Sequence, residues 1–254
     1  MKIKEFYKIL DSTYDFDSQD DWDNSGMMNF SSNQTIKNPV LSLDISLDTV
    51  DFAINSNSNL IISHHPIYIN IEDLKLLHIK KIFNKLKTNN ICTISLHTCF
   101  DKNKYGTSYQ IISKLKEFEV LRSPKSPYLF FGISKNKMNL KELINKLKSN
   151  LNLEYVKLIQ NKTLDKELDT KKILKIAVVG GSGGSEISTI LKKDKIDYFI
   201  TSEIKWHMWI KNVNDDFKIL EVPHSVEKVF IDAIKKKFSE IKFIEFFPNK
   251  ILSF

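Results

Sequence analysis

The order of apolar runs along this chain predicts an α/β protein of two lobes, each a mixed, largely parallel sheet flanked by helices. Three observations predict it. Short apolar runs at 40–43, 60–62 and 91–96 alternate with stretches whose apolar residues recur at helical spacing, the pattern of strand–helix–strand crossovers. A second, smaller series of the same kind begins after Ser123-Pro124-Lys125-Ser126-Pro127, a stretch that reads as a domain linker. Histidine and acidic residues gather where the apolar runs stop, and ligands of parallel sheets bind at the carboxyl ends of strands.

At 254 residues, with 42% hydrophobic and 27% charged residues, the chain can bury the core of one large domain or two small ones. The formal charge of +7 comes mostly from lysines spread without a long basic block. A lysine-rich solvated surface accounts for it; attraction for phosphorylated or nucleic-acid ligands is the functional counterpart. Two cysteines, Cys92 and Cys99, do not make a secreted disulfide scaffold. The charged stretch from Met1 to Phe6 lacks the apolar core of a signal peptide, and no apolar run nears the roughly 20 residues that span a bilayer. A cytoplasmic protein with no membrane partner is expected.

Ile3, Phe6, Tyr7 and Leu10 fall at helical spacing and open the fold with a short amphipathic helix. The acidic loop from Asp15 to Asp23 runs into Trp22-Asp23-Asn24-Ser25-Gly26. Asn-Ser-Gly suits a turn with positive φ, and Trp22 is expected to anchor that turn in the core. Asp21 and Asp23 read as solvated turn carboxylates, with metal ligation the alternative. The strand at Val40 leads to a helix over 49–55 capped by Asp48 or Thr49. Leu60-Ile61-Ile62 is a buried strand that stops at Ser63-His64-His65-Pro66, because Pro66 has no amide hydrogen and presses His65 toward extended backbone. At that break both imidazoles can turn toward one cleft and present neutral nitrogens to neighbouring metal ions. Two loop histidines without a ligand role are the bland alternative for this motif taken alone. Leu74, Leu77, Ile82 and Leu86 mark a helix with lysines on its other face. The strand over 91–96 then ends in His97-Thr98-Cys99-Phe100-Asp101, so His64, His65, His97 and Asp101 gather at corresponding strand ends.

Residues 109–118 read as a helix. Beyond the 123–127 stretch come a strand over 128–133, a helix over 140–147, and strands over 153–159 and 173–179 separated by a polar loop. Gly180-Gly181-Ser182-Gly183-Gly184-Ser185 then leads to a helix over 187–191. Such a turn can hold an anion on its backbone amides, and a tight turn that permits close packing explains it equally well. It lacks the Gly-Lys-Ser/Thr of a P-loop and the third glycine of a dinucleotide fingerprint. A strand at Tyr198 ends in Thr201-Ser202-Glu203, and Glu203 shares a helical face with His207 at i, i+4 if the next helix starts early. The strand over 217–222 precedes Pro223, a helix starter. His224 and Glu227 then stand at i, i+3 on one face, a spacing that surface residues explain as well as ligands do. A strand over 241–247 closes the chain.

Six segments in this order resemble one family across nearly the whole chain: Trp22-Asp23-Asn24-Ser25-Gly26, Ser63-His64-His65-Pro66, His97-Thr98-Cys99-Phe100-Asp101, Gly180-Gly181-Ser182-Gly183, Thr201-Ser202-Glu203 with His207, and Pro223-His224 with Glu227. The sequence resembles the Nif-three-like dinuclear metal centre family, also called the type 2 GTP cyclohydrolase I family. The resemblance implies a metal-binding lobe of residues 1–122 and 216–254, completed by the C-terminal segment, and a second lobe of 123–215. It also implies a ring-shaped homohexamer, without the regulator-like insertion of longer relatives. Two divalent ions per chain (zinc, iron or manganese) are implied on His64, His65, Asp101, His224 and Glu227, with Asp101 and Glu227 as bridges. Two departures stand out. The family spaces its last histidine and glutamate four apart, whereas His224 and Glu227 are three apart, and Cys99 stands where the family commonly has asparagine, which brings a thiol toward the metals.

The activity implied by the resemblance is metal-dependent hydrolysis of a nucleotide or related phosphorylated compound. Ring opening of GTP needs hydrolytic attack at the purine C8 and loss of formate, chemistry that suits a pair of divalent ions. His97 and Glu203 are the candidate proton carriers. A non-catalytic metal-binding scaffold or interaction protein is the competing reading, and a nucleotide base pocket is the feature that separates the two.

Overall fold

The computed structural model describes residues 1–28, 33–159, 168–184, 194–214 and 218–247. The helix expected over 187–191, with Ser185 before it, lies outside the described residues. The chain divides into two compact units, Met1–Asn103 with Phe230–Phe254, and Lys104–Val229. Each is an α/β unit with a mixed sheet, as the alternation of apolar runs predicts. Among the described residues no helix is long and apolar enough to cross a membrane.

In the first unit, β1 (Gly26–Met28), β2 (Val40–Ser42), β3 (Leu60–Ser63) and β4 (Cys92–Ser95) join the C-terminal strand Ile244–Phe246 in one five-stranded sheet. Its order is β1, β4, β3, β2 and then the C-terminal strand, so the C-terminal segment completes this sheet. All its pairings are parallel except that of β1 with β4. β1 was legible only as part of a turn, since three residues carry no period. Alternation sorts the strand side chains onto two apolar faces. Leu60 and Ile62 join Phe6, Leu10, Phe230 and Ile234 on one side, while Ile61 joins Val50, Ile79, Ile82 and Leu86 on the other. Both faces are covered, and every residue of β2, β3 and β4 is buried, including Ser42, Ser63, Thr93 and Ser95.

The helices follow the sequence with local corrections. Ile3–Tyr14 buries Ile3, Phe6, Leu10 and Tyr14 as one stripe. The helix Leu47–Asn55 starts earlier than expected, because Ser46 is its cap: the Ser46 hydroxyl accepts from the Thr49 amide at 3.1 Å. A 3-10 turn over Ile71–Lys75 precedes the helix Leu77–Thr88, and Leu76 between them is extended.

The second unit holds β5 (Phe118–Arg122), β6 (Phe130–Ser134), β7 (Lys157–Ile159), β8 (Lys175–Val178), β9 (Tyr198–Thr201) and β10 (Ile219–Glu221), in the order β5-β6-β8-β9-β10-β7. β8, β9 and β10 are parallel, and the flanking pairings are antiparallel. The helix expected over 109–118 spans Thr107–Lys114, and Phe118 begins β5 instead. The 123–127 stretch, expected to link domains, connects β5 to β6 as a hairpin, with Ser123 N–H donating to the Leu129 carbonyl at 3.0 Å. Pro124 and Pro127 withhold ladder donors there, which is why the stretch reads as a linker. Asn139 caps the helix Leu140–Leu151, which buries Leu140, Leu143, Leu147 and Leu151. Ile176, Val178, Ile200 and Leu220 face that helix side of the sheet, and Ala177, Val179, Phe199 and Ile219 the other.

Candidate metal centre

Strand register in the first unit places the donors. β2 and β3 align Ser42 with Ser63, so two residues further on Asp44 comes beside His65. β3 and β4 align Ser63 with Ser95, so Leu96 comes beside His64 and His97 beside His65. The contacts follow. His64 Nδ1 lies 2.9 Å from the Leu96 carbonyl, His65 Nδ1 lies 2.7 Å from Asp44 Oδ1, and His97 Nδ1 lies 2.9 Å from Asp23 Oδ1. A carbonyl or carboxylate oxygen can only accept, so each Nδ1 carries the hydrogen and each neutral ring keeps its Nε2 lone pair. The ligand atoms of the three histidines all lie within 4.8 Å of one another. His64 is fully buried, with the Phe100 and Phe230 rings at 5.9 and 5.3 Å, and its Nε2 is 3.6 Å from Asp101 Oδ1. The Asp101 amide closes the turn onto the His97 carbonyl at 3.0 Å, and so the short helix Thr98–Asp101 aims that carboxylate back at the histidines.

Asp23 is the support of this cluster, not a solvated turn carboxylate. Its Oδ1 accepts from the Asn24 amide at 2.7 Å and from His97; its Oδ2 accepts from Ser25 Oγ at 2.8 Å, the Thr98 amide at 2.9 Å and Thr98 Oγ1. Burial raises the pKa of this carboxyl, but the hydrogen bonds from His97 and Thr98 and the nearness of His97 outweigh it. The group is held well below the usual carboxylate range. Asp21 remains exposed on the turn. Trp22, expected in the core, is 54% exposed and meets the His97 ring edge-on, 5.5 Å between centroids. Cys99 is buried, and burial first, then the Asp23 and Asp101 carboxylates, push its thiol up to about 12. The buried thiol packs beneath the turn that carries Asp101.

In the second unit the parallel register of Glu221 with Thr201 brings the ends of β9 and β10 side by side. His224 Nδ1 pairs there with Glu203 Oε1 at 2.9 Å, and His224 Nε2 with Glu227 Oε2 at 2.8 Å. His224 and Glu227 sit on a 3-10 turn, His224–Lys228, whose three residues per turn eclipse positions i and i+3. The short spacing in the sequence is thereby matched by a tighter helix. Glu203 precedes the helix Trp206–Asn214 and does not share a face with His207; its partner is His224. At the glycine turn the backbone comes close to Glu227. Gly181 has φ +69, and a Cβ there would lie 2.7 Å from Glu227 Oε1, so glycine lets that buried carboxylate approach the backbone. Two amides of the turn are engaged within the fold, Gly180 N–H with Ser108 Oγ and Gly183 N–H with Thr201 Oγ1, each at 2.9 Å.

These groups can hold a metal ion. Imidazoles oriented through Nδ1 by a carboxylate or carbonyl, with the Asp101 carboxylate beside His64, offer nitrogen and oxygen donors of the kind that divalent metal ions accept. Two participants were not singled out in the sequence. Asp44 could have been found from its position, since it follows β2 by the same two residues by which His65 follows β3. The Leu96 carbonyl carries no sequence signal at all.

Known proteins share both this sequence and this fold. A GTP cyclohydrolase 1 type 2 homolog of Ureaplasma parvum is 30% identical over all of this chain and 95% of its own length. Among solved structures, Staphylococcus aureus protein SA1388 superimposes with a TM-score of 0.79 at 22% identity, covering 98% of this chain and 97% of the other. The protein ybgI, described as of unknown function, superimposes with a TM-score of 0.84 at 19% identity, covering 98% and 99%. The family model for Duf34/NIF3 (NGG1p interacting factor 3) matches residues 1–250, and the chain belongs to that family.

Proposed function

We propose that this protein is a dinuclear metal-dependent hydrolase of a nucleotide or related phosphorylated compound. In this reading His64, His65, Asp101, His224 and Glu227 hold two divalent ions. The observation that carries it is the shared orientation of three histidines, each donating Nδ1–H to a fixed acceptor so that its Nε2 lone pair turns away from that acceptor. Such ions, when bound, polarise a carbonyl or phosphoryl group and lower the pKa of water to about 7. The name printed for the Ureaplasma relative supports a purine nucleotide as the first substrate to try.

The remaining work falls to the chain's own residues. His97 is positioned to take up a proton at Nε2, and the buried Asp23 carboxylate at its Nδ1 would stabilise the imidazolium that forms. Glu203, bonded to His224 and open to solvent, is the second proton carrier. Asp44 and the Leu96 carbonyl keep His65 and His64 in one tautomer. The same reading takes the protein as a cytoplasmic, ring-shaped homohexamer.

The test is a chromatographic assay of a nucleotide panel, GTP first, with metal-reconstituted protein purified without an affinity tag, beside Asp101→Ala. Two ions per chain by elemental analysis, turnover abolished by chelator, and loss of both ions and turnover in Asp101→Ala are expected. Two ions retained in Asp101→Ala would remove Asp101 as a bridge. Equal rates for wild type and variant on every compound would overturn the hydrolase reading and leave a metal-binding scaffold.

A further inference from the structure

We propose that Trp22 is a substrate-positioning residue, whose exposed indole face stacks against the flat ring system of a purine held beside His97. The inference rests on the nucleotide reading above and adds to it the part of the substrate that is recognised. Exposed apolar side chains are common and by themselves mean little. Trp22 differs from the others in two respects.

The first is position. The Trp22 ring stands at 75° to the His97 ring with 5.5 Å between centroids, and His97 in turn lies 5.3 Å from the His64 ring and 5.2 Å from the His65 ring. An indole that is 54% exposed is therefore one ring contact from the donor cluster. The second is rigidity. The Asp23 amide closes a turn onto the Asp20 carbonyl at 2.9 Å, and the Asp23 carboxylate is locked to His97 and Thr98. Asn24 Nδ2 donates to the carbonyls of Tyr68 and Ile69 at 3.2 and 2.7 Å, and the Ser25 amide donates to Gln19 Oε1 at 2.8 Å. Asp23, Asn24 and Ser25, which follow Trp22, are thus all tied to neighbouring segments, and the loop they form holds the indole outside the core.

A solvent-facing aromatic ring, carried by a hydrogen-bonded loop beside a cluster of metal-ligand type, favours a ligand that is flat and aromatic at the end held near that cluster. Base–aromatic stacking is sequence-tolerant and scales with ring overlap, so a purine gains more than a pyrimidine and a sugar phosphate gains nothing. Trp206 and Trp209 stack on each other at 4.9 Å, and Trp209 packs on the apolar face of the second sheet, so each already has an aromatic partner.

The chain has three tryptophans, and a Trp206→Phe, Trp209→Phe double variant leaves Trp22 as the sole indole fluorophore. It is titrated in the cold, metal-loaded, with GTP, CTP and inorganic triphosphate. Saturable quenching by GTP, weaker by CTP and absent with triphosphate is expected. In the otherwise native protein, calorimetric titration should show GTP binding weakened on the order of tenfold in Trp22→Ala and largely restored in Trp22→Phe, with metal content unchanged. Equal GTP affinity in wild type and Trp22→Ala while wild type turns GTP over would overturn the stacking role and leave the hydrolase reading intact. Absence of any GTP binding to wild type would overturn both. A change confined to the molecular mass in solution would also overturn it, by making Trp22 a subunit contact.

Discussion

Replacing Asp23 with asparagine keeps the volume of the side chain and removes its charge. The carboxylate accepts five hydrogen bonds, from the Asn24 amide, Ser25 Oγ, the His97 ring, and the amide and hydroxyl of Thr98. Serine and threonine hydroxyls can rotate to accept instead, but the Asn24 and Thr98 amides cannot. Whichever way the new amide group turns, its NH₂ faces one backbone N–H. Leaving one buried donor unsatisfied costs about 1–3 kcal/mol, and weakening charge-assisted bonds to neutral ones costs about 1 kcal/mol more. A loss of about 3 kcal/mol is expected, a large part of the roughly 5–15 kcal/mol that holds a domain together. Urea unfolding followed by circular dichroism measures it, with the slope unchanged. The sign with pH is also fixed. The folded pKa is depressed, so this stabilisation is complete above the unfolded value of about 3.9 and fades as pH falls through the folded value. The gap between wild type and Asp23→Asn should therefore close on acidification below about pH 4. A difference under about 0.5 kcal/mol at pH 7, or a gap independent of pH, would refute the account of Asp23 as a charged support.

Asp44→Ala frees the His65 ring, and metal affinity measured by competition with a chelating dye should fall about 10–100-fold, while thermal unfolding of the apo form stays nearly unchanged because Asp44 is half exposed. Gly181→Ala forces a left-handed alanine against Glu227, and should cost about 1–2 kcal/mol in thermal unfolding and weaken metal retention as well. Cys99 should react with a thiol reagent at pH 7 only as fast as the protein opens, and Cys99→Asn should leave the order of metal preference unchanged in competition experiments if the buried thiol serves only packing at the strand end.

The parallel core of the first sheet was legible because strands buried on both faces are rich in apolar residues, as Leu60-Ile61-Ile62 of β3 shows, while β4 carries only Cys92 and Ile94 between the buried hydroxyls of Thr93 and Ser95. The donors His64, His65, His97 and Asp101 were legible because they end those strands. Asp23 was not, since an aspartate in an acidic turn carries no mark of burial; three of its five hydrogen bonds come from the distant His97 and Thr98. Trp22 was misplaced for the related reason that size argues for the core, whereas the fixed loop turns it outward. β5 was hidden because its ladder partner lies across two prolines, and its outward residues break the apolar pattern. The pairing of Glu203 with His224 depends on the β9–β10 register, which no periodicity within either segment records.

The 3-10 turn at His224–Lys228 shows that the spacing of two side chains in a sequence and their spacing in space are separately adjustable. A chain that loses one residue between two side chains can recover their alignment by winding the backbone more tightly, from 3.6 to 3.0 residues per turn. A motif search that demands a fixed gap of four would pass over this chain although the pair meets at 2.8 Å. The same trade runs in reverse. An insertion of one residue between His224 and Glu227 should be tolerated if the turn relaxes to α-helical pitch, whereas an insertion of two would place the glutamate on the far side of the helix. Helix pitch is thus a second variable, beside residue count, that decides whether two side chains on one segment meet.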